Sequence, residues 1–367
     1  MSSEPKKNTL EQFDRAMAPA EAQAAGLRWL SPKEPPFYLA GFAWFATDRR
    51  YRRMPLQPPE KLPVAVDSLA NCTAGGQIRF QACTARLFLR VTLAGPHDMW
   101  NMSATGQCGF DCYLGAPGEE RYFNTTKIKR DAASYEAPLF EFPAPEARHV
   151  TLNFPLYQGV QEVLVGLDPD AEILAPVPYR MDRPVVVYGT SITQGGCASR
   201  PGMAYTNILS RRMNLEFINL GFSGNGRGEP EVARAIATLP EPACLVLDYE
   251  ANCNEPEQLR KTLPEFIRIL RAAYPRVPLL VISRIRYAAE EHKPVAHGRR
   301  LERREIQQQC VEALRQAGDS RIFFHDGSDL LGADFDECTV DGSHPSDLGF
   351  LRMAEGLEPV LRKILFA

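Results

Sequence analysis

The chain has 367 residues, of which 44% are hydrophobic and 24% charged, and its formal net charge is -3. This composition is typical of globular proteins and excludes wholesale disorder, collagen-like sequence and coiled coil. The length exceeds that of most single domains and predicts two. The small negative charge offers no basic field that would attract nucleic acid or an anionic membrane.

Targeting and metal-binding signals are absent from the sequence pattern. No segment approaches the roughly 20 apolar residues that span a bilayer, and the first residues lead into a polar stretch rather than an apolar signal sequence. We therefore expect a cytoplasmic protein without membrane insertion, or a secreted one if an upstream signal had been removed. The nine cysteines have no zinc-binding spacing and predict reduced thiols, with no metal site and no cofactor.

The first half of the chain is a series of extended segments separated by turn sequences. The predicted strands cover residues 37–47, 62–66, 77–80, 85–93, 109–114, 150–156 and 160–167. Many short strands at this spacing predict an antiparallel β-sandwich of jelly-roll type. A short amphipathic stretch at 10–17 precedes them, and the proline-rich sequence at 174–179 predicts a linker. The expected first domain, with its N-terminal segment, covers residues 1–178.

The second half alternates strands with helices and forms the expected second domain, residues 179–367. The predicted strands cover residues 185–188, 217–220, 244–247, 279–282 and 322–324. The predicted helices cover residues 204–213, 229–239, 259–270, 301–316 and 348–365. Such alternation predicts an α/β fold with a parallel sheet covered by helices on both faces, and ligands bind at the carboxyl ends of its strands.

A serine and a histidine at these strand ends are candidates for nucleophilic catalysis. Ser191 follows the first parallel strand in a tight Gly-Thr-Ser turn, where its hydroxyl needs a partner base; the alternative role is a helix N-cap. Asp341 stands three residues before His344 and can accept the proton of its Nδ1, which leaves Nε2 free to take the serine proton. His325 is the alternative base, and a surface turn is the alternative role of the Asp341–His344 sequence.

Donors for a developing oxyanion follow the next two strands. The backbone N–H groups of Ser191 and Gly224 and the side-chain amide of Asn252 would form the oxyanion hole. If the third strand ends at a different residue, Asn254 or Asp248 lies in the cleft in place of Asn252.

Several further side chains are candidates for substrate binding. Arg284 and Arg286 follow the fourth strand. Asn225 lies in the glycine loop, residues 221–226, which follows the second strand. In the first half, we expect the arginine run 49–53 on a solvated strand edge and the tryptophans in the core. The alternatives are a grip on a uronic acid and stacking on sugar rings.

The order of these motifs along the chain resembles the SGNH (GDSL-like) hydrolase superfamily. The matching positions are Ser191, Gly224, Asn252 and His344, with Asp341 as the orienting acid. The resemblance covers about residues 183–367 and implies a flavodoxin-like three-layer α/β/α domain. Two strings depart from the family pattern, since Gly-Thr-Ser-Ile-Thr replaces Gly-Asp-Ser-Leu and Glu-Ala-Asn-Cys replaces Gly-x-Asn-Asp.

The first half resembles the β-sandwich that precedes one SGNH subgroup and carries a Gly-x-Asp-Leu-Tyr motif. Residues 109–113 match this motif, with Cys112 in place of Leu, and the strings at 41–42 and 53–55 are also similar. A sandwich followed by an SGNH domain also resembles two-domain carbohydrate esterases. The resemblance implies a serine esterase that cleaves small acyl esters, particularly O-acetyl groups on sugars.

Three functions therefore stand beside one another at the level of sequence. The first is an esterase for a small-molecule or oligosaccharide ester, acting through an acyl-enzyme, with a second copy of the chain as a possible partner in a homo-oligomer. The second is a lysophospholipase or acyl-thioesterase with the same catalytic residues, which needs an apolar acyl groove. The third is a carbohydrate-binding protein without catalysis.

Overall fold

The computed structural model describes residues 25–129 and 131–366. The amphipathic stretch predicted at 10–17 lies outside the described residues. The described chain is a mixed α/β structure with an antiparallel sheet in its first half and a parallel sheet in its second. Among the described residues, no helix combines the length and the apolar character needed to cross a membrane.

The first half forms a sheet of eight strands, hydrogen-bonded in the order β1-β7-β3-β6-β4-β5, with β2 and β8 paired to β3. The strands are β1 (Arg28–Leu30), β2 (Tyr38–Ala40), β3 (Gln77–Leu93), β4 (Asp111–Leu114), β5 (Arg121–Thr125), β6 (Ser134–Asn153), β7 (Val160–Leu167) and β8 (Glu172–Leu174). The helices between them are α1 (Phe45–Asp48), α2 (Val64–Leu69) and α3 (Ala104–Cys108). The antiparallel character predicted for this half is confirmed.

Several predicted elements of this half have other bounds in the structure. The segment 37–47 contains the short strand β2 but also overlaps the helix α1, and the segment 62–66 overlaps the helix α2, because apolar runs this short do not distinguish a strand from a helix. β3 joins two predicted strands, and β6 extends the strand predicted at 150–156 back to Ser134. Prolines obscured β6 in the sequence, but Pro143 and Pro145 lie where its register with β3 is interrupted, so neither needs to donate a ladder hydrogen bond.

The five strands predicted in the second half are confirmed. They are β9 (Val185–Gly189), β10 (Phe217–Gly221), β11 (Cys244–Asp248), β12 (Leu279–Ile282) and β13 (Ile322–His325), all parallel, in the order β10-β9-β11-β12-β13. The helices are α4 (Ser191–Gln194), α5 (Tyr205–Met213), α6 (Pro230–Ile236), α7 (Pro256–Ala273), α8 (Pro294–Gln316) and α9 (Asp347–Phe366). This strand order is that of doubly wound sheets, which bind ligands at the carboxyl edge.

Helices cover both faces of the parallel sheet. One apolar cluster joins the sheet to α6, α7 and α8, and the other joins it to α5 and α9. Val186 and Tyr188 of β9 belong to the first cluster, whereas Val185 and Val187 belong to the second. This alternation is what a strand buried on both faces requires.

A buried carboxylate of the first half is bonded to the second half. Asp111, the acid of the Gly-Phe-Asp-Cys-Tyr motif, is fully buried. Its Oδ2 accepts hydrogen bonds from Arg200 Nη1 at 2.9 Å and from the backbone N–H of Gly202 at 2.7 Å. Its Oδ1 accepts one from Asn153 Nδ2 at 2.7 Å. The motif therefore supplies an ion pair between the two halves.

A buried guanidinium forms a second connection. Arg53 is 1% exposed, and it donates to the carbonyls of Leu69 and Cys72 in the first half and of Asn219 and Gly221 in the second. Burial lowers its pKa to about 10, so the group stays charged at neutral pH. The expectation of a solvated strand edge is thus wrong for Arg53, because its N–H groups satisfy two buried and two partly buried carbonyls.

We expect Asp111→Ala to lower the free energy of unfolding by about 3 kcal/mol, because it leaves the mostly buried Arg200 cation without its partner. Urea denaturation followed by circular dichroism measures the change. Glu241→Ala is the matched control, since it breaks an exposed pair with Arg183 and is expected to cost less than about 1 kcal/mol. Equal losses in the two variants would contradict the stabilising role of the buried pair.

Candidate active site

Ser191 lies at the carboxyl edge of the parallel sheet, in the first turn of α4. β9 ends at Gly189, and Thr190 caps the helix by accepting a hydrogen bond from the Ile192 N–H at 3.3 Å. The N-cap role considered for Ser191 therefore belongs to its neighbour. The Ser191 hydroxyl lies 2.9 Å from Nε2 of His344.

The loop before α9 holds the histidine and its carboxylate together. His344 Nδ1 lies 2.8 Å from Asp341 Oδ2, and the His344 backbone N–H donates to Oδ1 at 2.9 Å. Asn101, from the first half, donates through Nδ2 to the same Oδ2 at 2.9 Å. Burial raises the pKa of Asp341, but the hydrogen bonds from His344 and Asn101 outweigh it and hold that pKa well below its ordinary value. Ser191, His344 and Asp341 thus form one continuous chain of hydrogen bonds.

The glycine loop after β10 is open at Gly224 and tightly packed two residues later. Gly224 is exposed with φ +64°, and a Cβ there would meet no atom within 4 Å. Gly226 has φ +70°, and a Cβ on it would lie 2.1 Å from the carbonyl oxygen of Gly189. Glycine at 226 therefore lets this loop approach the end of the strand that precedes Ser191.

Asn252 lies in a short helical turn after β11, as the sequence predicted for the third strand end. Its amide nitrogen donates to the backbone carbonyls of Asn225 and, at 3.4 Å, Phe222. The side chain of Asn225 turns back and donates to the Ser223 carbonyl at 3.0 Å. The amide of Asn252 is thus held against the glycine loop, whereas Asn254 is exposed.

The alternatives to these residues have other places in the structure. Asp248 ends β11 beneath α4, where its Oδ2 accepts hydrogen bonds from Thr193 at 3.1 Å and from Tyr205 at 2.8 Å. It therefore supports the turn that carries Ser191. His325 ends β13, and burial lowers its pKa. No hydrogen bond joins its Nε2 to any described residue.

The two arginines after β12 have different surroundings. Arg284 is 4% exposed, and its Nη1 lies 2.6 Å from Glu290 Oε1. The guanidinium of Arg286 donates to the backbone carbonyls of Ser328 at 3.0 Å and Gly332 at 2.8 Å. Arg286 therefore bonds to backbone carbonyls rather than to Ser191 or His344. The local sequence does not indicate this difference between the two arginines.

Two side chains that the sequence did not single out connect the first half to Ser191. Tyr157 OH donates to the Ser191 carbonyl at 3.1 Å. Gln194, fully buried in α4, donates through Nε2 to the Leu156 carbonyl at 3.2 Å and accepts the Ser223 N–H through Oε1 at 3.0 Å. The sequence carries no local signal for these contacts, because each partner lies on a different segment.

The thiol of Cys197 completes the surroundings of the histidine. Ligand atoms of Cys197, Asp341 and His344 lie within 4.8 Å of one another, the one such group found in the described part of the chain. Burial, and then the charge of Asp341, raise the pKa of the thiol to about 12, which disfavours the thiolate that a metal ion requires. The carboxylate and imidazole are also bonded to each other, so these residues fit proton transfer better than metal binding.

The place of Asp248 beneath the Ser191 turn can be tested by measuring how the stability of the protein depends on pH. Burial raises its pKa from 3.8 to about 7, so the folded protein binds this proton more tightly than the unfolded chain does. The protonated Asp248 carboxyl contributes its full stabilising free energy below pH 3.8, and this contribution is lost as the pH rises through about 7. Asp248→Asn keeps an acceptor for Thr193 and Tyr205 without the titration.

We therefore expect the variant to gain stability relative to wild type between pH 4 and pH 8, by about 1.4 kcal/mol for each unit of pKa shift. Urea denaturation at several pH values measures this difference. The exposed carboxylate variant Asp182→Asn is the control. Parallel stability profiles for wild type and Asp248→Asn would contradict the raised pKa.

Models of known protein families match both halves of the chain. A model of the GDSL-like lipase/acylhydrolase family matches residues 182–362. A model of the N-terminus of SGNH-hydrolase-type esterases matches residues 27–173. No curated protein matches the chain at a significant level.

Solved structures share the fold along most of the chain. A protein from Bacteroides ovatus ATCC 8483, described as a GDSL-like lipase, is 30% identical, with a TM-score of 0.85 over 92% of this chain and 98% of its own. Salicylyl-acyltransferase SsfX3 from a tetracycline biosynthetic pathway is 20% identical, with a TM-score of 0.72 over 94% and 98% of the two chains. A family two carbohydrate esterase from Cellvibrio japonicus is 15% identical, with a TM-score of 0.60 over 92% and 98%.

The last two similarities concern the fold alone. The Bacteroides protein aligns over nearly its whole length at 30% identity, and family models match both halves. This chain therefore belongs to the GDSL-like lipase/acylhydrolase family, with the N-terminal domain of SGNH-type esterases.

Proposed function

We propose that this protein is a serine esterase that removes short acyl groups, acetyl above all, from carbohydrate. The observation that carries the proposal is the chain of hydrogen bonds from Ser191 through His344 to Asp341. A serine hydroxyl within hydrogen-bond reach of an oriented imidazole is the arrangement that nucleophilic acyl transfer needs.

In the proposed mechanism, Ser191 Oγ attacks the ester carbonyl while Nε2 of His344 takes the hydroxyl proton. Asp341 holds the imidazole in orientation and stabilises the imidazolium that forms. The tetrahedral intermediate collapses, and His344 gives its proton to the leaving alcohol. Water, deprotonated by His344, then attacks the acyl-enzyme and releases the acid and the free serine. Because Asp341 has a lowered pKa, it stays ionised throughout this cycle.

The oxyanion is proposed to accept hydrogen bonds from the N–H groups of Ser191 and Gly224 and from the amide of Asn252. The open surroundings of Gly224 leave room for a bound carbonyl. Asn252 presents one nitrogen with two hydrogens, and backbone carbonyls of the glycine loop accept from it in the resting structure. Its contribution therefore depends on one N–H turning toward the substrate.

Carbohydrate is proposed as the substrate class on two grounds. Trp100 exposes 86% of its surface and directly precedes Asn101, the residue bonded to Asp341, so an exposed indole lies one residue along the chain from the site. The expectation of a core tryptophan is thus wrong for Trp100, and a free aromatic face can stack on a sugar ring. The fold shared with a carbohydrate esterase agrees with this class.

We expect Ser191→Ala and His344→Ala to lower kcat by at least about a thousandfold with the fold retained, because each removes one participant in proton transfer. Hydrolysis of p-nitrophenyl acetate, butyrate and octanoate measures this loss, and circular dichroism checks the fold. Turnover that is highest for acetate and depends on Ser191 supports the proposal.

Other outcomes of the same series favour the alternatives. Highest turnover on octanoate would favour the lysophospholipase or thioesterase function. Affinity for glycans without serine-dependent turnover of any ester would favour the carbohydrate-binding protein. Wild-type turnover in Ser191→Ala would remove this serine from the mechanism.

The oxyanion assignment is tested by a pair of asparagine variants. Asn252→Ala is expected to lower kcat by about a hundredfold, because one donor to the oxyanion is lost. Asn254→Ala is the matched control, since its exposed amide lies two residues further along the same segment. A large loss in Asn254→Ala together with little change in Asn252→Ala would transfer the role to Asn254.

A further inference from the structure

A cavity of about 570 Å³ lies between the segment after β11 and the start of α8. This volume is in the range of small-molecule binding sites. Four cationic side chains line it, those of Arg284, Lys293, Arg299 and Arg303. None of the described residues in its wall carries a carboxylate.

Two segments connect the wall of the cavity to the candidate active site. Its wall includes Ala251 and Arg284, which also line a small internal cavity of about 10 Å³ whose wall includes Thr190 and Ile192, the chain neighbours of Ser191. Its wall also includes Tyr287, and the backbone N–H of the next residue donates at 2.9 Å to the loop that carries His344. The cavity therefore lies beside segments that adjoin the Ser191 turn and the His344 loop.

A buried charge imbalance lies beneath the cavity. Arg284, Arg300 and Arg303 surround only two carboxylates, those of Glu250 and Glu290, and all five residues are buried. Three cations against two anions leave one positive charge in excess. Nε of Arg284 and of Arg303 are buried without a hydrogen-bond partner, at 3.7 Å and 3.3 Å from the same oxygen of Glu250.

Further positive potential comes from the rim. Lys293 is exposed at the N-cap of α8 and forms no ion pair with the described residues. The 23-residue helix adds the positive end of its dipole at the same place. Arg299 has one partner, Glu255, at 3.3 Å, and both side chains are about half exposed. An anion in the cavity would thus be attracted by buried and exposed cations together.

We propose that this cavity is an anion subsite of the active site, which binds a carboxylate or phosphate carried by the ester substrate. The inference rests on the proposed esterase function and narrows its substrates to esters that bear an anionic group, such as acylated acidic sugars. An anion there offsets the excess positive charge and can accept hydrogen bonds from the arginines.

The test compares esters that differ in charge. We would measure kcat/KM on 3- and 4-acetoxybenzoate, on 4-acetoxyphenyl phosphate and on the neutral 4-acetoxybenzamide.

The double variant Lys293→Gln/Arg299→Gln removes the two exposed cations. Lys363→Gln, in the last turn of α9, is the control for lost charge. The double variant is expected to lower the anionic-to-neutral ratio about fivefold, through KM, whereas Lys363→Gln leaves the ratio unchanged. The benzoates and the phosphate distinguish which anion is preferred.

The outcomes separate this inference from the esterase proposal. An unchanged ratio in the double variant, with serine-dependent hydrolysis of the neutral ester intact, would overturn the anion subsite alone. If no ester is hydrolysed, calorimetric titration with benzoate, benzamide and inorganic phosphate decides the question. Binding of an anion that weakens in the double variant would support the subsite, and the absence of anion binding to wild type would overturn it.

Discussion

The ion pair of Asp111 with Arg200 is the interaction on which the arrangement of the two halves depends. The Asp111 carboxylate is fully buried and bonded at both oxygens, and it accepts hydrogen bonds from Arg200 and Gly202 of the second half, so a rearrangement that left either charge buried without its partner would be costly. Arg53 adds a second buried charge, which donates hydrogen bonds to carbonyls of both halves. Because hydrogen bonds are directional, these groups fix the orientation of the two halves as well as holding them together. Apolar packing alone would fix that orientation less strictly.

That orientation brings residues of the first half to the candidate active site. Asn101 donates to the Asp341 oxygen that faces His344, and Tyr157 donates to the Ser191 carbonyl. Arg53 binds the Gly221 carbonyl at the base of the glycine loop. Loops of the first half therefore reach the Ser191 turn, the Asp341–His344 loop and the glycine loop, each through one of these hydrogen bonds.

Charges of opposite sign occur at two places in the second half. Around Asp341, hydrogen-bond donors lower the pKa of a single carboxylate, which keeps a negative charge next to His344. Around Arg284, cations outnumber carboxylates, which leaves positive potential a short distance along the same edge of the sheet. In the proposed function, the first charge orients the base and the second selects the substrate.

The sequence by itself determined the parallel sheet and its edge. Continuous β-branched and apolar runs ending in glycine or polar turns predict buried parallel strands, and the geometry of such sheets brings Ser191 and the Asp341–His344 loop to one place. Tertiary structure decided the rest, because it depends on contacts between distant segments: Asn101 lies 240 residues from Asp341. The burial of Arg53, the length of β6 and the unequal places of Arg284 and Arg286 were likewise set by packing partners, which no local pattern of residues encodes.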